Sequence, residues 1–194
     1  MQYKSDDFER FVAGEIKAKD IFELKFIPKN VAYDFVKQYH YLGDAKFFSQ
    51  HSVGMFVGDE LVGCATFSSP QGTVALKGWF GITDNSDTSV LELSRLCVLP
   101  ILNGTNATSF LLGNSLKMLK KIGIRAVITL ADASRHVGSI YQVCNFKYYG
   151  LTNPKSDFYR YDGVKKPRGS TKNTKGVWLQ ELESIDMPIF LIRN

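Results

Sequence analysis

The chain has 194 residues, of which 44% are hydrophobic and 22% charged, values typical of one globular domain with a proper hydrophobic core. A formal net charge of +5 is a weak indication of a polyanionic partner. No apolar run approaches the roughly 18 residues of a membrane span, and the acidic start is unlike a signal peptide. Three scattered cysteines in apolar runs indicate reduced core residues in a cytoplasmic protein.

A predicted helix in the first quarter of the chain carries two candidate functional residues. It follows a short strand predicted at Ile21–Ile27, with Asn30 as its N-cap and Gly43 as its end. His40 and Tyr41 lie in its last turn. From the helix alone, a histidine at that position is best explained as compensation of the helix dipole.

The next stretch predicts a β-hairpin followed by a long insert. Ser52–Val57 and Glu60–Phe67 are strand-like runs, and Gly58 and Asp59 form the turn between them. Residues 68–89 carry proline, glycine and aspartate and predict a long loop. Loops of that length in compact domains often carry function.

A second central strand, Leu91–Leu99, turns through small residues into a helix that Gly123 ends. The first N–H groups of a helix lack partners, so this unit can bind an anion, although it is also the ordinary way to connect a strand to a helix. Arg95 lies inside the otherwise apolar strand. A buried arginine needs a partner, which is either a phosphate or carboxylate of a ligand or a structural ion pair.

The stretch that follows predicts a strand, an acidic residue, a helix and a further strand. Ala126–Leu130 is a charge-free, β-branched run, typical of a strand buried on both faces. Asp132 follows at its carboxyl end, where ligands gather in α/β sheets, although a turn or helix cap explains it equally well. Ser134 and Asn145 are expected to begin and end the helix. Its apolar stripe consists of Val137, Ile140, Tyr141 and Cys144.

Residues 163–180 contain no acidic side chain and five basic ones, spread among Pro, Gly, Ser, Thr and Asn. We expect a loop here, because strands are predicted on either side, at Phe158–Tyr161 and Met187–Ile192. A solvated loop is the simplest interpretation, but spaced cations also suit contacts with nucleic-acid phosphates. The five residues are Lys165, Lys166, Arg168, Lys172 and Lys175.

The order of these elements resembles the GNAT acyltransferase fold, which implies a single α/β domain with one mixed central sheet flanked by helices. Three segments carry the resemblance: the hairpin at Val57–Gly63, the strand, loop and helix of Leu91–Ser115, and the helix region Ser139–Phe146. It implies acetyl-CoA or a related CoA-type donor, although Asn106 replaces the second small residue of the family's loop. The cofactor-binding residues implied are Arg95, Cys97, Val98, Asn103, Gly104, Thr105, Asn106 and Ala107.

Within that superfamily, four short segments resemble the Mom family of phage DNA-modification proteins, from about Ile21 to Tyr161. They are Tyr39-His40-Tyr41, Leu93-Ser94-Arg95-Leu96, Ala131-Asp132 and Gly138-Ser139-Ile140-Tyr141-Gln142. The resemblance implies conversion of adenine in double-stranded DNA to an N6-carbamoylmethyladenine-type base, which protects phage DNA from restriction in the host cytoplasm. It implies catalytic roles for His40, Tyr41, Asp132 and Tyr141. It says least about the five basic residues of 163–180, whose expected nucleic-acid contacts follow from the spacing of their charges.

Modification of adenine sets demands that these side chains can meet. The base has to leave the helix stack and its N6 amine is a weak nucleophile, so aromatic surface, a carboxylate and cations are needed. Tyr41 and Tyr141 would hold the base, Asp132 would orient or deprotonate the amine, and His40 would act as a base or metal ligand. A carbamoylmethyl group joins nitrogen through a methylene carbon, so acetyl transfer alone does not make it. Either another donor or further steps would be required, with iron as one option.

Two other functions are consistent with the sequence. A conventional acetyl-CoA-dependent N-acetyltransferase, acting on a small amine or a protein lysine, would need only the strand, loop and helix of Leu91–Ser115. A DNA-binding module without activity would need only the fold and the basic stretch. Only the first hypothesis, a Mom-like enzyme, predicts a modified base in DNA that has been exposed to the protein.

Overall fold

The computed structural model describes residues 5–42, 47–70, 80, 82, 87–132, 137–151, 158–161, 164–167 and 175–181. Within these residues, the helices are α1 (Ser5–Val12), α2 (Ala18–Ile21), α3 (Lys29–Tyr39), α4 (Ala107–Lys121) and α5 (Ser139–Val143). A short 3-10 turn spans Pro100–Leu102. The strands are β1 (Glu23–Phe26), β2 (His51–Val57), β3 (Glu60–Ser68), β4 (Val90–Val98), β5 (Ala126–Asp132), β6 (Lys147–Leu151), β7 (Phe158–Tyr161), β8 (Val164–Pro167) and β9 (Lys175–Glu181).

Seven of these strands form one mixed sheet in the order β1-β2-β3-β4-β5-β9-β6. Neighbours run antiparallel except β4 and β5, which are parallel and are connected by α4. β7 and β8 form a separate two-stranded hairpin. The sheet with helices on its faces confirms the predicted fold class, and the hairpin predicted at Gly58 and Asp59 joins β2 to β3.

The basic stretch 163–180 is not the loop that the sequence predicts. Val164–Pro167 is strand β8, and the stretch ends inside β9, which pairs with β5 over seven residues, from Ala126 opposite Glu181 to Asp132 opposite Lys175. Charge and glycine content masked the apolar run of β9. Pairing with β9 gives the buried strand β5 a partner on the side away from β4, so that β5 is no edge of the sheet.

Helices α3 and α4 cover opposite faces of the sheet. The side chains of Leu111 of α4 and Val98 of β4 both lie next to Gly63 of β3, so Val98 is on the α4 side of the sheet. Successive strand residues alternate between faces, so Arg95 projects from the other face, where its guanidinium lies over the ring of Phe47. Phe47 in turn stacks on Tyr33 of α3. The two layers therefore enclose the sheet, and Arg95 is on the α3 side.

Helix α4 is held by the apolar stripe on its inner side. Burying a leucine side chain contributes roughly 1.5–3 kcal/mol, so this stripe anchors the helix and the loop that precedes it. Its first residue is buried as well, which fixes the N-terminus of α4 at the end of β4. The buried positions are Ala107, Leu111, Leu112, Ser115, Leu116 and Leu119.

Two helix ends differ from the predictions. α3 begins at Lys29 behind Pro28, whose fixed φ suits a helix start, so Asn30 is not the cap. His40 is its C-cap and Tyr41 follows the helix, so neither lies in the last turn.

Helix α5 is shorter than the predicted one. It begins behind Gly138, whose φ of 73° is left-handed, and the predicted stripe residue Val137 is exposed. Asn145 has a φ of 63° and confirms the predicted left-handed stop. The predicted N-cap Ser134 lies outside the described residues.

Several other predictions also fall outside the described residues. They concern Gly43, Arg168, Lys172, most of the 68–89 insert and the last strand at Met187–Ile192. Among the helices that the structure describes, none combines the length and apolar character needed to cross a membrane.

Candidate active site

The central feature of the site is a gap between the parallel strands β4 and β5. The two strands pair only from Val90 to Glu92, opposite Ala126 to Ile128. β4 then continues to Val98, paired with β3 on its other side, while β5 continues beside β9. At the start of the gap, Thr129 Oγ1 donates a hydrogen bond to the carbonyl of Leu93 at 3.4 Å. Beyond it, the β5-facing edge of β4 can accept an extended ligand as a further strand would pair.

A β-bulge in β4 sets the direction of Arg95. Thr66 of β3 lies opposite Arg95 and Phe67 opposite Leu93, so Ser94 is the extra residue. The Ser94 hydroxyl lies 2.6 Å from that of Ser68, which fixes the bulge. Bulges commonly re-aim a side chain next to an active site, and here the bulge turns Arg95 toward the α3 side.

The guanidinium of Arg95 is half-buried and has identifiable partners. Its Nη1 donates to the carbonyl of Ser94 at 2.6 Å, and its central carbon lies 5.4 Å from the Phe47 ring centroid. Burial lowers the pKa of Arg95, and the nearby Tyr41 and Glu92 act in the opposite direction. An arginine keeps its charge in proteins even so. Part of the guanidinium therefore has structural partners, as the sequence analysis expected of a buried arginine. The rest of the cation remains available to a ligand.

His40 and Tyr41 form a stacked pair directly after α3. Their ring centroids are 4.4 Å apart with an interplanar angle of 29°. Nδ1 of His40 accepts a hydrogen bond from the Leu42 N–H at 3.2 Å, so a neutral His40 carries its proton on Nε2. Tyr41 is 58% exposed. The pair therefore presents an aromatic surface to solvent next to Arg95.

Tyr141 of α5 joins the same cluster from the other side of the gap. Its hydroxyl is hydrogen-bonded to the side chain of Thr129. Burial raises the pKa of Tyr141, the bond to Thr129 lowers it, and the nearby Tyr41 raises it further. Tyr41, which the resemblance groups with Arg95 and Tyr141, thus lies within electrostatic range of both.

The fourth predicted residue, Asp132, is the last residue of β5 and lies three positions beyond Thr129. Its backbone pairs with Lys175 of β9. The direction of its carboxylate lies outside what the structure describes, so its role as the acid or base stays a prediction.

Glu92 is a site residue that the sequence analysis missed. It lies three residues before Arg95, is 9% exposed, and is the one charged residue among the buried polar side chains of the described part. Its charge raises the pKa of Arg95. A single acid in the apolar run of β4 could have been questioned on the same grounds as Arg95, since a buried charge needs a partner.

Thr66 is the second residue of this kind. Its side chain is fully buried, and its Oγ1 has no hydrogen-bond partner among the described atoms. It lies opposite Arg95 in the β3–β4 register. Leaving a buried hydroxyl unpaired costs about 1–3 kcal/mol, so Thr66 is an unfavourable polar group directly beside Arg95 in the sheet.

The predicted cofactor loop runs from the 3-10 turn to the start of α4. Gly104 has a φ of 83°, a conformation that favours glycine. Thr105 Oγ1 donates to the Leu102 carbonyl at 2.7 Å and accepts from the Ala107 N–H at 3.2 Å. Asn106 is the N-cap residue but makes no side-chain cap. Further first-turn N–H groups of α4 remain available to an anion.

Cys97 and Val98 of β4, which the sequence assigned to the cofactor, are buried. Burial raises the pKa of Cys97 to about 12, so its thiol is neutral and unreactive. Both residues would contact a ligand in the gap through their backbone rather than their side chains.

A cavity of about 530 Å³ lies between α4 and the end of α5, next to this loop. Its wall begins at the N-terminus of α4 and extends to two lysines in the second half of the helix. A ligand with phosphate groups fits this combination. Its lining includes Asn106, Ser109, Gly113, Lys117, Lys120 and Asn145.

The predicted nucleic-acid contacts do not lie on one loop. Lys165 and Lys166 belong to the β7–β8 hairpin, and Lys175 begins β9 opposite Asp132. Among the described residues, no three His, Cys, Asp or Glu side chains converge in a group that could hold a metal ion, so iron gains no support there.

Comparison of the sequence with protein families and with curated proteins gives two results. The sequence model of the Mom protein family matches residues 21–186. No curated protein matches the chain.

Solved structures resemble the fold at low sequence identity. The ribosomal-protein-S18-alanine N-acetyltransferase from Escherichia coli is 9% identical with a TM-score of 0.57, over 88% of this chain and 99% of that chain. A GNAT family acetyltransferase from Elizabethkingia anophelis with acetyl-CoA bound is 13% identical with a TM-score of 0.54, over 84% and 99%. A Bacillus subtilis acetyltransferase in complex with CoA is 15% identical with a TM-score of 0.52, over 83% and 97%. The fold is therefore that of the GNAT acetyltransferases, as the sequence predicted.

Proposed function

This chain belongs to the Mom protein family and has the GNAT acetyltransferase fold, and on that premise we propose that it is a transferase that modifies adenine in double-stranded DNA at the exocyclic N6 amine. The group added would be of the carbamoylmethyl type, and its effect would be protection of phage DNA against restriction. One observation carries the proposal: Tyr41 lies within electrostatic range of both Arg95 and Tyr141 at the gap between β4 and β5, and the buried carboxylate of Glu92 lies within electrostatic range of Arg95.

The exposed ring of Tyr41 supports binding of an extruded base. Its stacking on His40 holds the ring in place, and an aromatic face binds any base by stacking, worth about 1–3 kcal/mol. On the β5 side of the gap, Tyr141 is held by its hydrogen bond to Thr129. A base that stacks on Tyr41 would bring its polar edge toward Tyr141 and Arg95.

Two carboxylates could take a proton from the N6 amine or orient it. Asp132 was predicted for this role, and the structure adds Glu92. Glu92 is already buried and within electrostatic range of Arg95, and general-base assistance is worth about 10²–10⁴-fold in rate. We assign the proton-accepting role to Glu92 in the first instance and an orienting role to Asp132.

A CoA-type donor fits the other half of the site. The free edge of β4 offers hydrogen bonds to the amides of an extended arm, and the N-terminus of α4 offers N–H groups to phosphates. When bound, such a donor would supply an activated carbon for transfer. Since acetyl transfer gives an amide and a carbamoylmethyl group is an alkyl substituent, the donor or a later step has to differ from ordinary acetyl transfer.

Nucleoside mass spectrometry tests this proposal. The protein is co-expressed with a plasmid, and the plasmid DNA is digested to nucleosides and weighed. A modified deoxyadenosine is expected with the wild type and should be lost with Arg95→Gln, while Arg10→Gln on the exposed surface of α1 serves as the matched control. Only unmodified deoxyadenosine from soluble, folded wild-type protein would rule out the proposal.

The second candidate is a conventional acetyl-CoA-dependent N-acetyltransferase acting on a small amine or a protein lysine. The strand, loop and helix around α4 favour it, because they need no DNA. It predicts a thermal shift with acetyl-CoA and release of free CoA when an amine is added without DNA. Absence of both effects would count against it, and DNA binding with no modified base would instead indicate an inactive DNA-binding module.

A further inference from the structure

Two consecutive phenylalanines beside the candidate site have opposite environments. Phe47 is 9% exposed, whereas Phe48 is 77% exposed. Phe47 stacks on Tyr33 of α3 with ring centroids 5.7 Å apart, and its other partner is the guanidinium of Arg95. Because Phe47 is anchored in this way, Phe48 is held at the rim of the site with its ring in solvent.

Phe48 has a cation beside it and further apolar surface around the same site. Nζ of Lys29, at the start of α3, lies 5.8 Å from the Phe48 ring centroid. Tyr41, which lies within electrostatic range of Arg95, and Leu42 are also exposed. A scattered apolar residue needs no explanation, but Phe48 directly follows the residue that contacts Arg95, so its backbone lies close to the site.

The combination of an exposed ring and a neighbouring ammonium matches one demand of the proposed reaction. When an adenine leaves a duplex, it leaves a vacancy in the base stack, and proteins that deform DNA fill such vacancies with apolar side chains such as Phe. A cation next to the wedge can contact the phosphate of the opened step. A ligand that is a free small amine would have no use for either group.

We propose that Phe48 is the wedge that enters the duplex where the target adenine has left, and that Lys29 contacts a flanking phosphate. Phe48 would then enter the duplex from the α3 side of the site, while Tyr41 holds the extruded base. This inference rests on the proposed function, and it names the DNA-opening residue that the reaction requires.

A fluorescence experiment tests the wedge without the group donor. Purified protein is mixed with a duplex that carries 2-aminopurine in place of one adenine, whose fluorescence rises when the base leaves the stack. Wild type and Ile122→Ala, an exposed apolar control after α4, should raise the signal equally. At saturating protein, the fluorescence rise with Phe48→Ala should be about tenfold smaller than with wild type, and Phe48→Leu should retain part of the rise. An equal rise with Phe48→Ala would overturn the proposal.

Two further measurements separate this inference from the proposed function. Nucleoside mass spectrometry of plasmid DNA should show about tenfold less modified base with Phe48→Ala than with wild type. If the wild type raises 2-aminopurine fluorescence through Phe48 but makes no modified base, the proposed function fails and the wedge stands. If instead Phe48→Ala converts a dimer to a monomer in gel filtration without changing fluorescence, the rim contacts a second copy and the inference is wrong.

Discussion

The hydroxyl of Tyr141 is hydrogen-bonded to the side chain of Thr129. This contact joins α5 to β5 at the point where β4 separates from β5. Thr129 also donates to the carbonyl of Leu93 on β4. Thr129 therefore links β4, β5 and α5 at the start of the gap. Its replacement should affect both stability and activity.

Replacing Thr129 by valine should lower stability by about 1–2 kcal/mol, because a buried hydroxyl and two hydrogen bonds are lost at nearly constant volume. Tyr141→Phe should cost about 1 kcal/mol and reduce modification of plasmid DNA by about tenfold, since the ring would no longer be fixed. Chemical denaturation measures the first effect and nucleoside mass spectrometry the second. The stability loss of the double variant should be smaller than the sum of the two single losses, as expected for residues in contact. Strict additivity would show that the bond is not formed in solution.

Tyr141 should also appear in an alkaline titration. Its pKa is raised above the ordinary value of 10.0, chiefly by burial, so the folded protein holds this proton more tightly than the unfolded chain. The resulting contribution to stability is fully present below about pH 10 and is lost as the pH rises through the raised pKa. Ultraviolet difference spectra measure tyrosinate formation as the pH rises. The tyrosine that titrates at the highest pH in the folded wild type should be absent from the titration of Tyr141→Phe. A late phase that survives the substitution belongs to another tyrosine.

The two candidate carboxylates should differ in a way that substitution can measure. Glu92→Gln should reduce modification about a hundredfold or more, because it removes a general base, while DNA affinity stays within about threefold, below roughly 1 kcal/mol. Asp132→Asn should reduce modification by less than Glu92→Gln does, because Asp132 orients the amine and does not accept its proton. Asp59→Asn, in the exposed turn between β2 and β3, is the matched control. Full activity in Glu92→Gln would return the proton-accepting role to Asp132.

The basic residues should act through phosphates rather than bases. Removing the positive charges of Lys165, Lys166 and Arg168 together should weaken DNA binding and flatten its salt dependence by about 0.9 per lost phosphate contact. A salt titration of binding measures the slope. Lys17→Ala with Lys19→Ala, exposed near α2, is a control that removes two positive charges elsewhere on the protein. If the control flattens the slope and the triple variant does not, DNA approaches from the N-terminal side.

The parts of the fold that the sequence predicted are those with a local signal. The turn at Gly58 and Asp59, the buried run of β5 and the left-handed Asn145 each depend on neighbours in the chain, and all three are found in the structure. The resemblance supplied the pairing of distant segments, which is why Tyr41, Arg95 and Tyr141 could be grouped before any geometry was known.

The parts that the sequence could not predict depend on contacts between distant segments. The sequence of β9 predicts a basic loop because its neighbours in the chain are polar, and it is pairing with β5 and β6 that makes it a strand. The bulge at Ser94 cannot be recognised from the pattern of apolar and polar residues in β4. The proximity of Glu92 to Arg95 could therefore not be predicted. Thr66 is inconspicuous until the register places it opposite Arg95.

The position of β9 also bears on the order of events during synthesis. β5 leaves the ribosome well before its second neighbour in the sheet, because the hairpin of β7 and β8 is translated between them. Until Lys175–Glu181 emerges, the nascent chain exposes one edge of an apolar strand, which favours chaperone binding and aggregation. A ribosome-stalled or truncated product that ends before Lys175 should therefore be degraded or insoluble, because β5 gains its second neighbour only when β9 has been synthesised.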